Sequence, residues 1–599
     1  MCRIAGIIDR NQNLDQINMD VKSMCDVMAH GGPDDYGLAA VDEHAAFGHR
    51  RLAIIDLSSA GHQPMCDDEL TISFNGEIYN YQELKAALAE LGFTFNTETD
   101  TEVILVGFKA WGTDLFCKLE GMFAFALHHK TNDETFLVRD QMGIKPLYYV
   151  TENQRLIFSS EVKAFEQTCY PFTANKEWPI YFLAFGHLPH PYTTLTGVLS
   201  LTGGSYLTWN HTHATYQISS YHQHTTAKTI TTTTQAIDGI TDGLKNAVRQ
   251  QLIADATIGV FLSGGIDSSI ITLLANETKR KELNTISINF NEEQFSEVKY
   301  QALITSQTDG KHSAYRITEQ DFKANFEQIM QAMDQPTNDG INSWFVNKCA
   351  KENGLKAVLS GIGADELLGG YPSFKRMKLI RSLKKLPKFI LRLAEQLPSE
   401  KLRRLYYLSY DSPIGEYLFL RGFFTPNAIS KILSISKSQV DTLLEGFPIE
   451  KNLTLEGEER AAWFETNLFM KNQLLKDTDF MSMSHGVEVR VPFLDERFVA
   501  TVASISNEYR FLQRPKGLLI NAFKTILPKA IWDRPKMGFS FPLQKWFVNH
   551  DLISNEANYE GLYVKKLIGK FKAGEMHWSK AFALYQVNLH RSSLKQMEQ

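Results

Sequence analysis

Two groups of residues in this chain of 599 have the types and spacing to do chemistry. Cys2 follows the initiator Met, and a small residue at position 2 permits removal of that Met. Cys2 would then hold a thiol and a free α-amine together. The amine, with an ordinary pKa of about 7.7–8.0, can accept the thiol proton, as N-terminal nucleophiles do in acyl transfer. Asn75 and Gly76 follow an apolar run and offer an amide and a flexible N–H for a tetrahedral oxyanion. His49-Arg50-Arg51-Leu52 offers a guanidinium able to grip a carboxylate in bidentate fashion, and Asp100, in Thr99-Asp100-Thr101-Glu102, can receive an α-ammonium. Together they describe an amino-acid pocket beside a nucleophile.

The second group begins at Ser263-Gly264-Gly265-Ile266-Asp267-Ser268-Ser269, between an apolar strand predicted at 258–262 and a helix starting near Ser268. Glycines there allow close backbone approach, and the N–H groups of a helix start face an anion, so the segment reads as a pyrophosphate-binding loop. The GxxxxGK[ST] pattern of phosphate-binding loops is missing, which argues against γ-phosphate transfer of the usual P-loop kind. Ser360-Gly361-Ile362-Gly363-Ala364-Asp365-Glu366 leaves another predicted strand, and Asp365 with Asp267 could supply the oxygen ligands that Mg²⁺ requires.

The elements that must carry these groups fall into different textures. The first 165 residues show short β runs at 4–8, 70–74, 123–128, 135–138, 147–150 and 156–159, with helical periodicity at 19–28, 81–91 and 102–111, which predicts a layered sandwich. A threonine-rich stretch at 225–234 marks a connector. From about Ala236, strands at 258–262, 285–290 and 357–359 alternate with helices, which predicts a parallel sheet with ligands at the carboxyl ends of its strands. The expected division is 2–165, a connector at 166–235, and 236–599. A basic helical region follows Tyr371, and because leucines interleave as for core packing it reads as a solvated face rather than a membrane or polyanion surface.

Composition bounds the partners. A net charge of -6 and 43% hydrophobic residues describe a globular chain with no global reason to bind nucleic acid. Its 6 cysteines form no CxxC pair, so neither a disulfide framework nor a zinc site is indicated, and a reducing cytoplasm fits. No basic and apolar leader opens the chain, and no apolar run reaches a bilayer span. Small-molecule partners are expected, and a homodimer is left open.

Met1-Cys2 with Ile4-Ala5-Gly6, His30-Gly31-Gly32-Pro33-Asp34, Asn75-Gly76-Glu77-Ile78-Tyr79-Asn80, and Arg139-Asp140 with Gly143-Ile144-Lys145-Pro146-Leu147-Tyr148 resemble the glutaminase domain of asparagine synthetases. The Ser263 and Ser360 loops, Glu488-Val489-Arg490-Val491-Pro492-Phe493-Leu494-Asp495, Lys516 and Arg534-Pro535-Lys536-Met537-Gly538-Phe539 resemble the synthetase domain that follows it. The resemblance implies an α/β multidomain chain: an N-terminal-nucleophile αββα sandwich (a type-2 glutamine amidotransferase domain), then a parallel-sheet α/β synthetase domain of the ATP-pyrophosphatase kind. It implies that Cys2 attacks glutamine, that Asn75 and Gly76 form the oxyanion hole, and that Arg51, Glu77 and Asp100 bind glutamine alongside Asn75. It further implies that Leu262, Ile288 and Gly361 contact adenine and ribose, that Ser263, Gly264, Gly265, Asp267, Ser268 and Ser360 complete the ATP site, and that Lys516 neutralises departing pyrophosphate. Asp365 and Glu366 would face the acceptor, Asp267 and Asp365 the Mg²⁺. The reaction implied is ATP-dependent amidation of aspartate through an acyl-adenylate, with an amidotransferase for another carboxylate, such as a sugar acid, as the rival. Gly31 stands where the family pattern has Arg, and Ile362 where it commonly has Glu or Asp.

Overall fold

The computed structural model describes residues 2–221, 227–449 and 454–597. The N-terminal half is built on two antiparallel sheets of six strands each. The first runs, edge to edge, Leu199–Ser200, Tyr148–Val150, Arg155–Ser159, Arg3–Asp9, Ala45–Arg51 and Asp35–Asp42. The second runs Thr215–Ser220, Ser205–Asn210, Glu134–Arg139, Gly121–His129, Leu70–Ile78 and Met65–Cys66.

Alternation along these strands sorts the apolar side chains into layers. Ile4, Ile8, Phe47 and Phe158 of the first sheet meet Ala124, Ala126, Leu137 and Trp209 of the second in a core between the sheets. On the outer side of the first sheet, Ala5, Ile7 and Ala46 pack under the helix Leu14–Val27 through Ile17, Val21 and Met24. On the outer side of the second, Ile72, Phe74, Phe123 and Phe125 pack under the helices Tyr81–Glu90 and Asp100–Trp111. The result is the αββα sandwich expected from the sequence. Segment 166–235, read there as a connector, adds Leu199–Ser200 to one sheet and Ser205–Asn210 with Thr215–Ser220 to the other. Of the threonine run, 225–226 lie outside the described residues, while Thr233 and Thr234 open the helix Thr233–Gln251, capped by the Thr232 hydroxyl accepting from Gln235 N–H.

The C-terminal half holds a parallel sheet of five strands in the order Lys311–Arg316, Asn284–Asn289, Ile258–Phe261, Ala357–Leu359 and Glu488–Arg490. The chain order reverses around Ile258–Phe261, so the loops leaving Ile258–Phe261 and its neighbour Ala357–Leu359 open at a switch point, the usual place for a ligand in such sheets. The two halves share one apolar cluster, in which Leu52, Ile54, Tyr79 and Met122 pack with residues of the second half. Arg3, fully buried, crosses the same boundary to Asp479 at 2.9 Å while also holding Glu161 at 2.6 Å.

One expectation fails. The region after Tyr371 is helical, as Pro372–Leu383, Lys388–Leu393 and Glu400–Arg403, and the failure is partial: Phe374, Met377, Ile380, Leu391 and Leu408 join the large core with Leu383 and Leu405 packed against it, while other leucines turn outward. Leu391 is buried, whereas Leu379, Leu386, Leu393 and Leu402 are exposed.

Candidate active site

Cys2 sits at the foot of the strand Arg3–Asp9, 7% exposed, with its backbone N–H donating to Asn75 Oδ1 at 3.1 Å. Burial pushes its thiol pKa up. Asn75 and Gly76 come from the facing sheet, where Leu70–Ile78 pairs with Gly121–His129. The Asn75 Nδ2 is buried without a hydrogen-bond partner among the described residues, so an amide donor is available near Cys2. Position 76 requires Gly: φ is +157°, and a Cβ would lie 2.2 Å from the Met122 carbonyl oxygen.

A small cavity joins Cys2, Arg51, Gly76, Glu77 and Asp100, with Leu52, Gln63 and Thr101 among its walls. Arg51 is fixed by donating to the carbonyls of Ser58 at 2.7 Å and Asp56 at 2.5 Å, and a Cβ at Gly61 would collide with its guanidinium. Asp100, first residue of its helix, accepts from Ile78 N–H at 3.0 Å, yet burial raises its pKa to about 6. Burial and the nearby Glu488 push Glu77 well above the usual carboxylate range, against the pull of Arg490. The residues predicted for this site therefore converge, with Asn75 hydrogen-bonded to Cys2 just outside the cavity lining.

The Gly31 departure is filled from within. The Arg3 side chain lies against Gly31, so that a Cβ there would meet its Cγ at 2.8 Å. A buried guanidinium thus occupies this corner from a different position of the chain.

The second site lies at the carboxyl ends of the parallel strands, in a cavity of about 260 Å³. Leu262, Ser263, Asp267, Ser268 and Ile288 line it from one side. Ser360, Gly361, Ile362, Asp365 and Glu366 line it from the other. Gly264 and Gly265 make the turn rather than the wall: Gly264 has φ +86°, and Gly265 N–H donates to Ser263 Oγ at 3.2 Å. The helix Ile266–Lys279 starts there with no side-chain cap, leaving its first N–H groups for a ligand. The loops touch, since a Cβ on Gly361 would lie 2.9 Å from Asp267 Cβ.

Lys516, 6% exposed, bridges the loops at 2.5 Å from Asp267 Oδ2 and 2.5 Å from Asp365 Oδ1, and Lys536 reaches Asp365 Oδ2 at 2.8 Å. Burial and the neighbouring Asp365 raise the Asp267 pKa despite Lys516, while for Asp365 the two ammoniums outweigh burial and lower it. Asp267 Oδ1 is buried without a hydrogen-bond partner among the described residues. Two hard carboxylates from touching loops, one with an open oxygen, fit a Mg²⁺ ion in company with a triphosphate. Glu366 accepts from Tyr371 Oη at 2.7 Å, and burial raises its pKa to about 7.

Sequence reasoning named Glu488 and Arg490 only as part of a motif and missed their position. Arg490, fully buried, holds Glu488 at 2.6 Å and Glu77 at 3.3 Å, and donates to the carbonyls of Gln251 at 2.9 Å and Ile253 at 2.6 Å. Its own carbonyl accepts from Ser360 N–H at 2.8 Å. A single residue thus contacts an amino-acid pocket through its side chain and a nucleotide loop through its backbone. Also missed were Asp339 and Asp477, which line the second cavity and are joined by Thr337, whose hydroxyl accepts from Asp339 N–H and donates to Asp477 Oδ2. No short sequence pattern marks either.

A buried thiol at a small pocket of an αββα sandwich, set against a parallel-sheet domain with a glycine turn at a helix start, has the layout of an amidotransferase that couples amide hydrolysis to nucleotide chemistry. Comparison with known proteins agrees: the glutamine amidotransferase domain matches residues 1–222, and asparagine synthase matches residues 239–568. The chain belongs to the asparagine synthase family, a family of ligases. It is 30% identical over 567 residues to asparagine synthetase [glutamine-hydrolyzing] 1 of Bacillus subtilis, covering 92% of this chain and 88% of that one. It is 31% identical to a putative asparagine synthetase [glutamine-hydrolyzing] of Mycobacterium bovis, covering 88% and 84%. It is also 26% identical to amidase chry2 of Gibberella zeae, covering 91% and 90%.

Proposed function

We propose that the protein amidates aspartate: Cys2 releases ammonia from glutamine, ATP activates the acceptor carboxylate as an acyl-adenylate, and ammonia displaces AMP to give asparagine. The observation that carries this reading is the bridge Asp267–Lys516–Asp365 at the mouth of the two loops, a charge arrangement suited to a triphosphate and its metal. Mg²⁺, held by Asp267 and Asp365, would neutralise phosphate charge. Lys516 then remains as the cation that can follow the departing pyrophosphate.

In the first half, Asn75 Nδ2 and Gly76 N–H take the oxyanion, Arg51 the α-carboxylate of glutamine, and Glu77 and Asp100 its ammonium. The shared apolar cluster around Leu52, Ile54, Tyr79 and Met122 supports passage of ammonia between the halves without exposure to water, which would protonate it.

Asp339 and Asp477 support an amino-acid acceptor. Burial raises Asp339 to about 6 and Asp477 well above its usual range, and an acceptor ammonium between them would restore both to the charged form. The helix Ile341–Glu352 begins at the same wall with Asn342 and Ser343 facing the cavity, and so offers N–H groups to an α-carboxylate.

A second reading, a different carboxylate acceptor, rests on Ile362, which lines the cavity where an acidic group is expected in the family. The two are separated by incubating the protein with ATP, Mg²⁺, glutamine and a panel of acids and weighing the products. Amide formation from aspartate supports the first; amidation of another acid, with aspartate inert, supports the second.

A further inference from the structure

Between Lys375 and Leu402 the chain turns apolar side chains outward. Leu379, Leu386, Phe389, Ile390, Leu393 and Leu402 are exposed, Phe389 at 65%. Single exposed apolar residues are ordinary. Here, however, six of the seventeen large hydrophobics exposed among the described residues fall within positions 379–402. On the short helix Lys388–Leu393, Phe389, Ile390 and Leu393 share the outer face while Leu391, 2% exposed, points inward.

The charges in this stretch are just as one-sided. Lys378, Lys384 and Lys388 are paired with Glu458, Glu416 and Asp411. Lys375, Arg381, Lys385, Arg392 and Lys401 are exposed and make no ion pair among the described residues. The two acids of the stretch, Glu395 and Glu400, are already engaged with Lys437 and Lys580. The surface therefore offers cations and apolar tips, and no unpaired carboxylate among its described residues.

We propose that residues 375–402 form a peripheral docking surface for a bilayer rich in anionic lipid. Lysine and arginine beside leucine and phenylalanine on a short outer helix is the composition of segments that lie in the headgroup region, with the apolar tips below the level of the charges. No helix of the described residues is long and apolar enough to cross a membrane, so the contact is on the surface and reversible. A soluble polyanion would use the cations and leave six apolar side chains in water. A protein partner is disfavoured by the lysines, which are depleted from the cores of protein interfaces. This surface lies apart from the linings of both catalytic cavities, so its test does not depend on the reaction.

The full chain is sedimented with vesicles of phosphatidylcholine alone and with vesicles containing about one-third phosphatidylserine. Binding is expected only to the second kind, weakening as salt is raised. The pair Phe389→Ser with Leu393→Ser, and separately the pair Lys385→Gln with Arg392→Gln, should each reduce binding by about tenfold or more. All four positions are exposed, and an unchanged thermal unfolding midpoint verifies that the variants fold. Failure of the unaltered chain to bind anionic vesicles overturns the proposal. So does binding to soluble heparin that matches vesicle binding and survives the apolar substitutions, which would make the surface a polyanion site.

Discussion

Cys2, Asp100 and Asp267 carry the sharpest consequences at the scale of single residues. In the proposed reaction Cys2 serves only ammonia release, so Cys2→Ala should abolish glutamine-dependent product while leaving synthesis from added ammonium salt intact. Glutamate formation at the original rate in that variant would refute the nucleophile. Asp267→Asn removes one of the two carboxylates proposed to hold Mg²⁺ and should slow AMP formation by about 100-fold, with glutamine hydrolysis kept. For Asp100, the folded pKa of about 6 lies above the unfolded value of about 3.9. The empty pocket therefore favours the protonated form, and this residue's contribution to stability falls as pH rises between those values. In the proposed pocket glutamine's ammonium pairs with this carboxylate, so KM for glutamine should rise as pH falls through about 6. Asp100→Asn should raise KM and remove that pH dependence, which initial rates over a pH series would measure.

The strand Glu488–Arg490 links the two sites at the scale of elements. Replacing Arg490 with Met leaves Glu77 and Glu488 buried without their cation, a change that costs about 3–5 kcal/mol when a buried pair is broken. A lowered unfolding midpoint is expected, together with a raised KM for glutamine and a smaller change in ammonia-dependent synthesis. Equal loss with glutamine and with ammonia would show a purely structural role.

This strand also shows where the sequence was legible and where it was not. The apolar runs at 70–74 and 123–128 announced the strands Leu70–Ile78 and Gly121–His129, although the first runs on through Asn75 and Gly76, which the sequence placed after it, and the helices Tyr81–Glu90 and Asp100–Trp111 showed by period. Glu488–Arg490 and Lys311–Arg316 did not, because one is three residues long with charged ends and the other is polar and at a sheet edge. Thr215–Ser220 was hidden because it is exposed along most of its length, whereas Ser205–Asn210 alternates in burial and was missed inside a segment read as a connector. The catalytic loops were readable since their glycines and aspartates are contiguous. Asp339 and Asp477, 138 positions apart in the chain, meet only through tertiary packing around Thr337. After Tyr371 the core-like spacing told half the story: Leu383, Leu391, Leu405 and Leu408 pack with the large core, while Leu379, Leu386, Leu393 and Leu402 lie exposed.

Coupling between the halves is the property of the whole molecule. Arg3 to Asp479, Lys356 to Asp34 and Arg490 to Glu77 all cross the boundary, and the backbone N–H groups of Val162 and Lys163 donate to Asp334 at 2.8 and 2.9 Å. Such an interface holds the thiol pocket in register with the nucleotide loops. Ile362→Glu, in the second cavity, should therefore alter acceptor turnover by up to about 100-fold while glutamine hydrolysis changes little; parallel assays of glutamate and AMP would separate the effects. The most direct measurement follows the nitrogen: glutamine labelled with ¹⁵N in its amide is supplied with ATP, Mg²⁺ and aspartate in unlabelled ammonium buffer, and products are weighed. Equal amounts of AMP, pyrophosphate and ¹⁵N-amidated product, with little unlabelled amide, are expected. ADP with inorganic phosphate, or an amide carrying the buffer's nitrogen, would contradict adenylate activation fed by Cys2.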